Sequence, residues 1–248
     1  MEGLSPPPQS FPPLPPGVIL LEPPLAPERE ACLSPAERAH LAGLPTEKRR
    51  QDWLLGRVAA KTAVRELVPV PWAGFSVLPG PEGAPRLTGP GVEGLAVSLS
   101  HGHGRALAWA RPAGPGGALP GVDLELVRPR PDGTLRFYLH PDERDPVLAL
   151  PPGEGETPGP RDRLSVLLWA LKEAAFKALT PPRGVGLLDV HLTLLDPFQA
   201  ATGRAAVAWR GPCATRAAAL GVREVRAGWA LHGELVLAWV EALQGRLP

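Results

Sequence analysis

Ala106-Leu107-Ala108-Trp109-Ala110 returns near the C-terminus as Val236-Leu237-Ala238-Trp239-Val240. Both strings share a Leu-Ala-Trp centre and read as strands with one face on a core. Upstream of each copy stands the same order of signals, helix and then strands. The chain therefore reads as α+β, a pseudo-twofold duplication of two similar halves, each a helix packed on a small antiparallel sheet, with a unit of roughly 120 residues.

Helix signals bound the halves. Ser34-Pro35-Ala36-Glu37 combines a capping serine, a proline at the first helical position and a glutamate that closes a capping box, and this helix should end near Gly43. A second helix is expected over 46–67, stopped by Pro69 and Pro71, followed by strands at 75–78, 95–100 and 105–110, the last two joined at Gly102 and Gly104. The second half opens on a strand at 122–126. A long helix is expected over 162–179, ended by Pro181 and Pro182, and the remainder reads as strands at 190–195, 205–209, 225–231 and 235–240.

Three segments follow from this: a Pro-rich arm at 1–28, a first half at 29–117 and a second at 118–248, with the Gly/Pro loop at 112–121 as the boundary. Ten of the first 28 residues are proline, which favours extended surface polyproline over sheet interior. The Pro/Gly/acidic stretch at 151–160 is expected to be a mobile loop.

Composition narrows the function classes. In 248 residues, 26 Lys and Arg balance 25 Asp and Glu, so the net charge of +1 advertises no nucleic-acid footprint. No apolar run is long enough to cross a membrane. Two cysteines, Cys32 and Cys213, are too few for a disulfide framework or a structural zinc site, and a reducing cytoplasm fits best. The first residues carry no basic and apolar pattern of a secretory signal.

Four places could carry chemistry. In Gly121-Val122-Asp123-Leu124-Glu125 the strand period puts Asp123 and Glu125 on one face, where two carboxylates need solvent or a hard divalent cation to coexist. In Trp169-Ala-Leu-Lys172-Glu173-Ala-Ala-Phe-Lys177 a spacing of four lines up Trp169, Glu173 and Lys177; an ordinary Glu-to-Lys helix pair explains that equally well. Arg50, Arg57, Lys61 and Arg65 form one basic stripe, either solvated surface or a holder of phosphates. Ser98-Leu99-Ser100-His101 runs into a Gly-rich turn where a hydroxyl, an amide and an imidazole could meet an anion, with His103 two residues on. No G-x-S-x-G elbow, Walker A loop or H-E-x-x-H is present.

Taken in order, Gly56-Arg57 on its basic helix, the Ser98-to-His101 string, the G-V-D-L-E strand and the W-x-x-K-E-A-x-x-K helix resemble the 4'-phosphopantetheinyl transferase superfamily, in its long, monomeric, Sfp-type branch. The resemblance covers roughly residues 34 to 240. It implies coenzyme A in the cleft between two α+β halves and Mg²⁺-dependent transfer of 4'-phosphopantetheine to a serine of an apo acyl or peptidyl carrier protein, releasing 3',5'-adenosine bisphosphate.

The roles it implies are specific. Asp123, Glu125 and Glu173 would bind Mg²⁺, with Glu173 also a base for the incoming serine. Lys177 and His101 would contact coenzyme A phosphates, Arg50 and Arg57 the 3'-phosphate and pyrophosphate, and Ser100 would sit near the nucleotide; Lys61 is a weaker match. Relatives often carry G-K-P before the serine–histidine string, where this chain has Gly83-Ala84-Pro85 followed by Arg86, and often a serine where it has Gly102. A coenzyme A-binding module without transfer, or a metal-dependent phosphoesterase using water, stays open beside the transferase.

Overall fold

The structure is a computed structural model that describes residues 13–22, 27–80, 83–182 and 184–245. In chain order the elements are β1 (Val18–Leu21), α1 (Pro35–Ala42), α2 (Glu47–Leu67), β2 (Ser76–Pro79), β3 (Pro85–Thr88), β4 (Leu95–Gly102), β5 (Arg105–Pro112) and β6 (Ala118–Leu126), then α3 (Asp132–Leu135), α4 (Pro141–Leu148), α5 (Pro160–Leu179), β7 (Val190–Leu194), β8 (Thr202–Trp209), α6 (Gly211–Ala219), β9 (Val222–His232) and β10 (Leu235–Gln244).

The strands form antiparallel sheets ordered β1-β5-β4 and β6-β10-β9-β8-β7, with β2 and β3 as a separate hairpin. Alternation sorts their faces. Ala106, Ala108 and Ala110 of β5 lie against α2, and Val236, Ala238, Val240 and Ala242 of β10 lie in the core that contains α5. Small side chains at these positions let each helix sit close to its sheet. The opposite faces, Leu107 and Trp109 with Val122, Leu124, Leu235 and Leu237, make a third apolar cluster joining the two sheets. Burying a large side chain of this kind is worth about 1.5–3 kcal/mol, so this shared cluster is what docks the halves.

The α+β duplication is real and extends further than the Leu-Ala-Trp strings. Val18 and Ile19 of β1 face Trp109 and Ala108 of β5, as Val122 and Asp123 of β6 face Trp239 and Ala238 of β10. Gly17-Val18-Ile19-Leu20-Leu21 is thus the first-half copy of Gly121-Val122-Asp123-Leu124-Glu125. A second correspondence is ionic. Glu37 Oε2 accepts from the Ser34 amide and meets Lys61 Nζ at 2.8 Å, Glu37 Oε1 accepts from the Val77 amide, and Lys61 donates to the carbonyls of Trp72 and Phe75. In the second half Glu143 Oε2 accepts from the His140 amide and from Lys172 at 2.8 Å, Glu143 Oε1 accepts from the Leu192 amide, and Lys172 donates to the carbonyls of Leu187 and Val190. Each half thus locks a capping glutamate, a long helix and a strand entry around one buried ion pair, whose charges are tolerated because the surrounding backbone groups satisfy them.

Several expectations need correction. The proline-rich arm is not all surface coil: Val18–Leu21 is an edge strand, where proline-flanked chain can still pair on one side. Residues 1–12 and 23–26 of that arm lie outside the described residues. The 151–160 stretch is tied down, because the buried Asp162 carboxylate accepts from the amides of Gly153 and Gly159 and the Glu154–Thr157 bridge closes it. Three helices escape the sequence reading. Two of them, α3 and α4, precede the long helix, and α6 interrupts the expected run of strands, with Pro212 in its first turn and a helix-forming Ala-rich stretch after it.

Candidate active site between the halves

The seam brings the first half's β4 and β5 against the second half's β6, with α2 packed on β4 and α5 packed on β6. Gly121 is obligatory there: a Cβ would run into the Ala174 carbonyl on α5, so glycine lets β6 approach the helix. Asp123 and Glu125 then project to the face toward α5, the face opposite Val122 and Leu124. Solvent does not screen Asp123, which is only 3% exposed.

Asp123 Oδ1 accepts from Lys177 Nζ at 2.6 Å and from Ser100 Oγ at 2.9 Å, while its Oδ2 is buried with no hydrogen-bond partner. The ordinary i,i+4 pairing of Glu173 with Lys177 is therefore not what the lysine makes; it reaches across to the strand. Glu125 Oε1 accepts from Trp169 Nε1 at 3.0 Å, and its Oε2 stands 3.4 Å from Arg130, which lies over the Trp169 ring. Burial and the neighbouring Asp123 charge push the Glu125 pKa up, against the pull of Arg130 and Trp169. Glu173 is raised as well, first by burial, with Lys177 opposing and Asp123 and Glu125 adding to it. The three acids thus feel one another's charge, although among the described residues no three metal-ligating side chains stand as a ready cluster.

On the first-half side Gly56 makes room for His101, since a Cβ would lie 2.8 Å from the imidazole. Arg57, 5% exposed, has its Nε and Nη1 buried without partners and its guanidinium 4.5 Å over Trp53. Burial lowers its pKa to about 10, partly offset by Glu37, so it stays charged at neutral pH. His101 keeps much of its surface in solvent, yet the crowded cleft and then the Arg57 charge hold it below 6.5, with Lys177 adding to this and Asp52 opposing it. Solvent contact limits the size of that shift. Arg57, Ala84, Pro85, Ser98, His101 and Lys177 line a cleft of about 400 Å³.

The expected basic stripe separates. Arg50 lies on the surface, donating to Glu47 and to the Leu44 carbonyl, and Arg65 donates to the Val70 carbonyl over Trp72. Lys61, the weaker match, is locked on Glu37 at 0% exposure and belongs to the packing of the first half. Arg86 lines an adjoining pocket of about 430 Å³ that shares Ala84, Pro85, Val97, Lys177 and Thr180 with the cleft. Sequence reasoning missed Arg130, which stands in no distinguishing spacing, and it quoted Ser98 in the serine–histidine string without foreseeing that its Oγ accepts from the Val122 amide at 3.1 Å.

Arg57 and His101 from the first half and Lys177 from the second line one cleft, an arrangement suited to an anionic ligand, and Lys177 ties that cleft to the Asp123 carboxylate on β6. The chain belongs to the 4'-phosphopantetheinyl transferase superfamily: residues 120–234 match the model of that superfamily, and residues 37–111 match that of the 4'-phosphopantetheinyl transferase N-terminal domain. The second match fits the long branch. No curated protein sequence matches the chain. Similar solved structures include the holo-ACP-synthase of Plasmodium yoelii (15% identity over 51% of this chain and 94% of that one, TM-score 0.37) and the holo-[acyl-carrier-protein] synthase of Thermotoga maritima (22%, 51% and 63%, TM-score 0.37). An ACPS–CoA complex from Chronobacterium ammoniagenes is alike at 20% identity over 52% of this chain and 98% of that one, TM-score 0.38. Among the described residues no helix is long and apolar enough to cross a membrane.

Proposed function

We propose that the protein transfers 4'-phosphopantetheine from coenzyme A to a serine hydroxyl of an apo acyl or peptidyl carrier protein, acting as a cytoplasmic monomer whose two halves supply the two walls of the site. The observation that carries this reading is Arg57, a charged guanidinium with two buried donors that have no hydrogen-bond partner among the described residues, on the cleft that Lys177 also lines. A buried cation left this way is costly unless an anion completes it, and a phosphate is the matching fork partner.

In this reading Arg57 and His101 hold phosphate groups of coenzyme A, and Lys177 stands at the pyrophosphate. Glu173 takes the proton of the carrier serine. The serine oxygen forms a bond to the β-phosphorus, the bond from that phosphorus to the bridging oxygen breaks, and 3',5'-adenosine bisphosphate leaves with the electron pair. Asp123, Glu125 and Glu173 would hold Mg²⁺. The fit rests on hard oxygen donors, on the orphaned Asp123 Oδ2 and on acids whose mutual repulsion a cation relieves. When bound, such an ion supplies charge neutralisation at the pyrophosphate. Arg50, in the first turn of α2, donates to Glu47 and to the Leu44 carbonyl, and as a phosphate contact it would exchange those partners.

The test is incubation of the protein with coenzyme A, Mg²⁺ and an apo carrier, followed by intact mass with and without chelator. One added phosphopantetheine, lost with chelator, is the expected result. Coenzyme A bound but never transferred to any of several carriers would leave a binding module, and coenzyme A cleaved without a carrier would leave a phosphoesterase.

A further inference from the structure

Ser100 is the residue whose structural place differs most from what the resemblance implies. It does not line the cleft. Its hydroxyl donates to Asp123 Oδ1 at 2.9 Å, on the same oxygen that takes Lys177 at 2.6 Å, so one carboxylate oxygen is held twice and the other, Oδ2, is left buried and unpartnered. Two residues back on β4, Ser98 Oγ accepts from the Val122 amide at 3.1 Å, beside Asp123 in the chain. The period of two on β4 therefore places two hydroxyls on one side of the strand, one gripping the backbone of the acidic strand and the other its carboxylate.

We infer that Ser100 is a positioning residue for the metal-binding acid. Its hydrogen bond, together with that of Lys177, fixes the Asp123 rotamer so that Oδ2 points free for a divalent cation. Partners that orient ligating carboxylates are general to metal sites, and losing one typically weakens metal affinity about 10–100-fold. Ser100 belongs to the first half and Asp123 to the second. The cation site is thus complete only when the halves are docked, which no residue of either half achieves alone.

This inference rests on the metal reading above, and the experiment separates the two. Mn²⁺ affinity is measured by calorimetry or electron paramagnetic resonance on the full chain, and coenzyme A affinity is measured separately in chelator, for wild type, Ser100→Ala and Ser100→Thr. The expected result is a 10-fold or greater loss of Mn²⁺ affinity in Ser100→Ala, recovery in Ser100→Thr, which keeps the hydroxyl, and coenzyme A affinity in chelator within 2-fold throughout. Unchanged Mn²⁺ affinity in Ser100→Ala overturns the inference. So does a loss confined to coenzyme A affinity, which would return Ser100 to the nucleotide. If wild type itself binds no Mn²⁺, the metal reading fails instead. Thermal melts of the three proteins exclude misfolding, and Ser98→Ala serves as the control that loosens the same strand without touching the carboxylate.

Discussion

Lys177 Nζ sits 2.6 Å from Asp123 Oδ1, having passed over the glutamate one helical turn behind it. Lys177 thus gives its hydrogen bond to the strand, and partly buried Glu173 feels the charges of Asp123 and Glu125 against that of the lysine. A helix that merely wanted stability would pair Glu173 with Lys177; this one spends the lysine on the strand.

If the three acids hold a cation, Asp123→Asn should cut carrier modification by about 10²–10³-fold, the range found when a single group that stabilises transition-state charge is removed. Glu173→Gln should do the same by removing both a ligand and the base. Neither should unfold the protein, and circular dichroism melts alongside the intact-mass assay check both halves of the statement. Full activity in either variant would sink the assignment.

Arg57→Met should have opposite effects on binding and stability. Coenzyme A affinity, read by calorimetry, should fall by about 10–100-fold, equivalent to about 1.4–2.8 kcal/mol. The melting temperature of the free protein should hold or rise, because an uncompensated buried cation has been replaced by apolar volume. A Met variant that melts much earlier would mean that Arg57 serves packing instead.

The paired ionic locks make a prediction about stability with no reference to chemistry. Removing one partner, as in Lys61→Ala or Glu143→Ala, strands a buried charge with its backbone partners and should cost about 3–5 kcal/mol in urea unfolding. Surface pairs such as Lys48 with Asp52 should cost under about 1 kcal/mol by the same measurement.

His101 supplies the pH dependence. Its folded pKa lies below 6.5, so its contribution to stability is present above that value and lost as pH falls through the lower folded one. A phosphate beside the ring favours the protonated form, so bound His101 should titrate higher than free His101, and coenzyme A binding should take up a proton in that interval. Imidazole chemical shifts followed with and without coenzyme A report both midpoints. Coincident midpoints would remove His101 from the phosphate contacts.

Much of this was readable in advance. The capping box at Ser34, the stop at Pro181 and the shared face of Asp123 and Glu125 are local facts of spacing and backbone chemistry, and each has its counterpart in the structure. What sequence could not sort was the basic helix. Arg50, Arg57 and Lys61 share a stripe, yet one faces solvent, one a cleft and one a buried carboxylate, because their surroundings come from chain as distant as His101 and Glu37. Ser100 likewise finds Asp123 23 residues on, across a seam no periodicity announces. The signals for the missed pieces did exist: His140-Pro141-Asp142-Glu143 echoes Ser34-Pro35-Ala36-Glu37, and Gly17-Val18 echoes Gly121-Val122, hidden among prolines.

That last echo bears on how many donors one chain can hold. Through the matched registers Ile19 and Leu21 stand where the other half has Asp123 and Glu125, and counting from Lys61 and Lys172 along the two long helices sets Thr62 and Glu66 opposite Glu173 and Lys177. The first half thus carries two aliphatic side chains and a threonine where the second has its three acids, and where the second has its lysine it carries a glutamate, which would repel a pyrophosphate. Titration of coenzyme A should therefore saturate at one per chain, where an unaltered twin would give two. A fused pair in which one partner gives up its chemistry can specialise: the first half is released to serve as wall, clamp and anion holder, and every later change there can be selected for fit to the surviving partner alone.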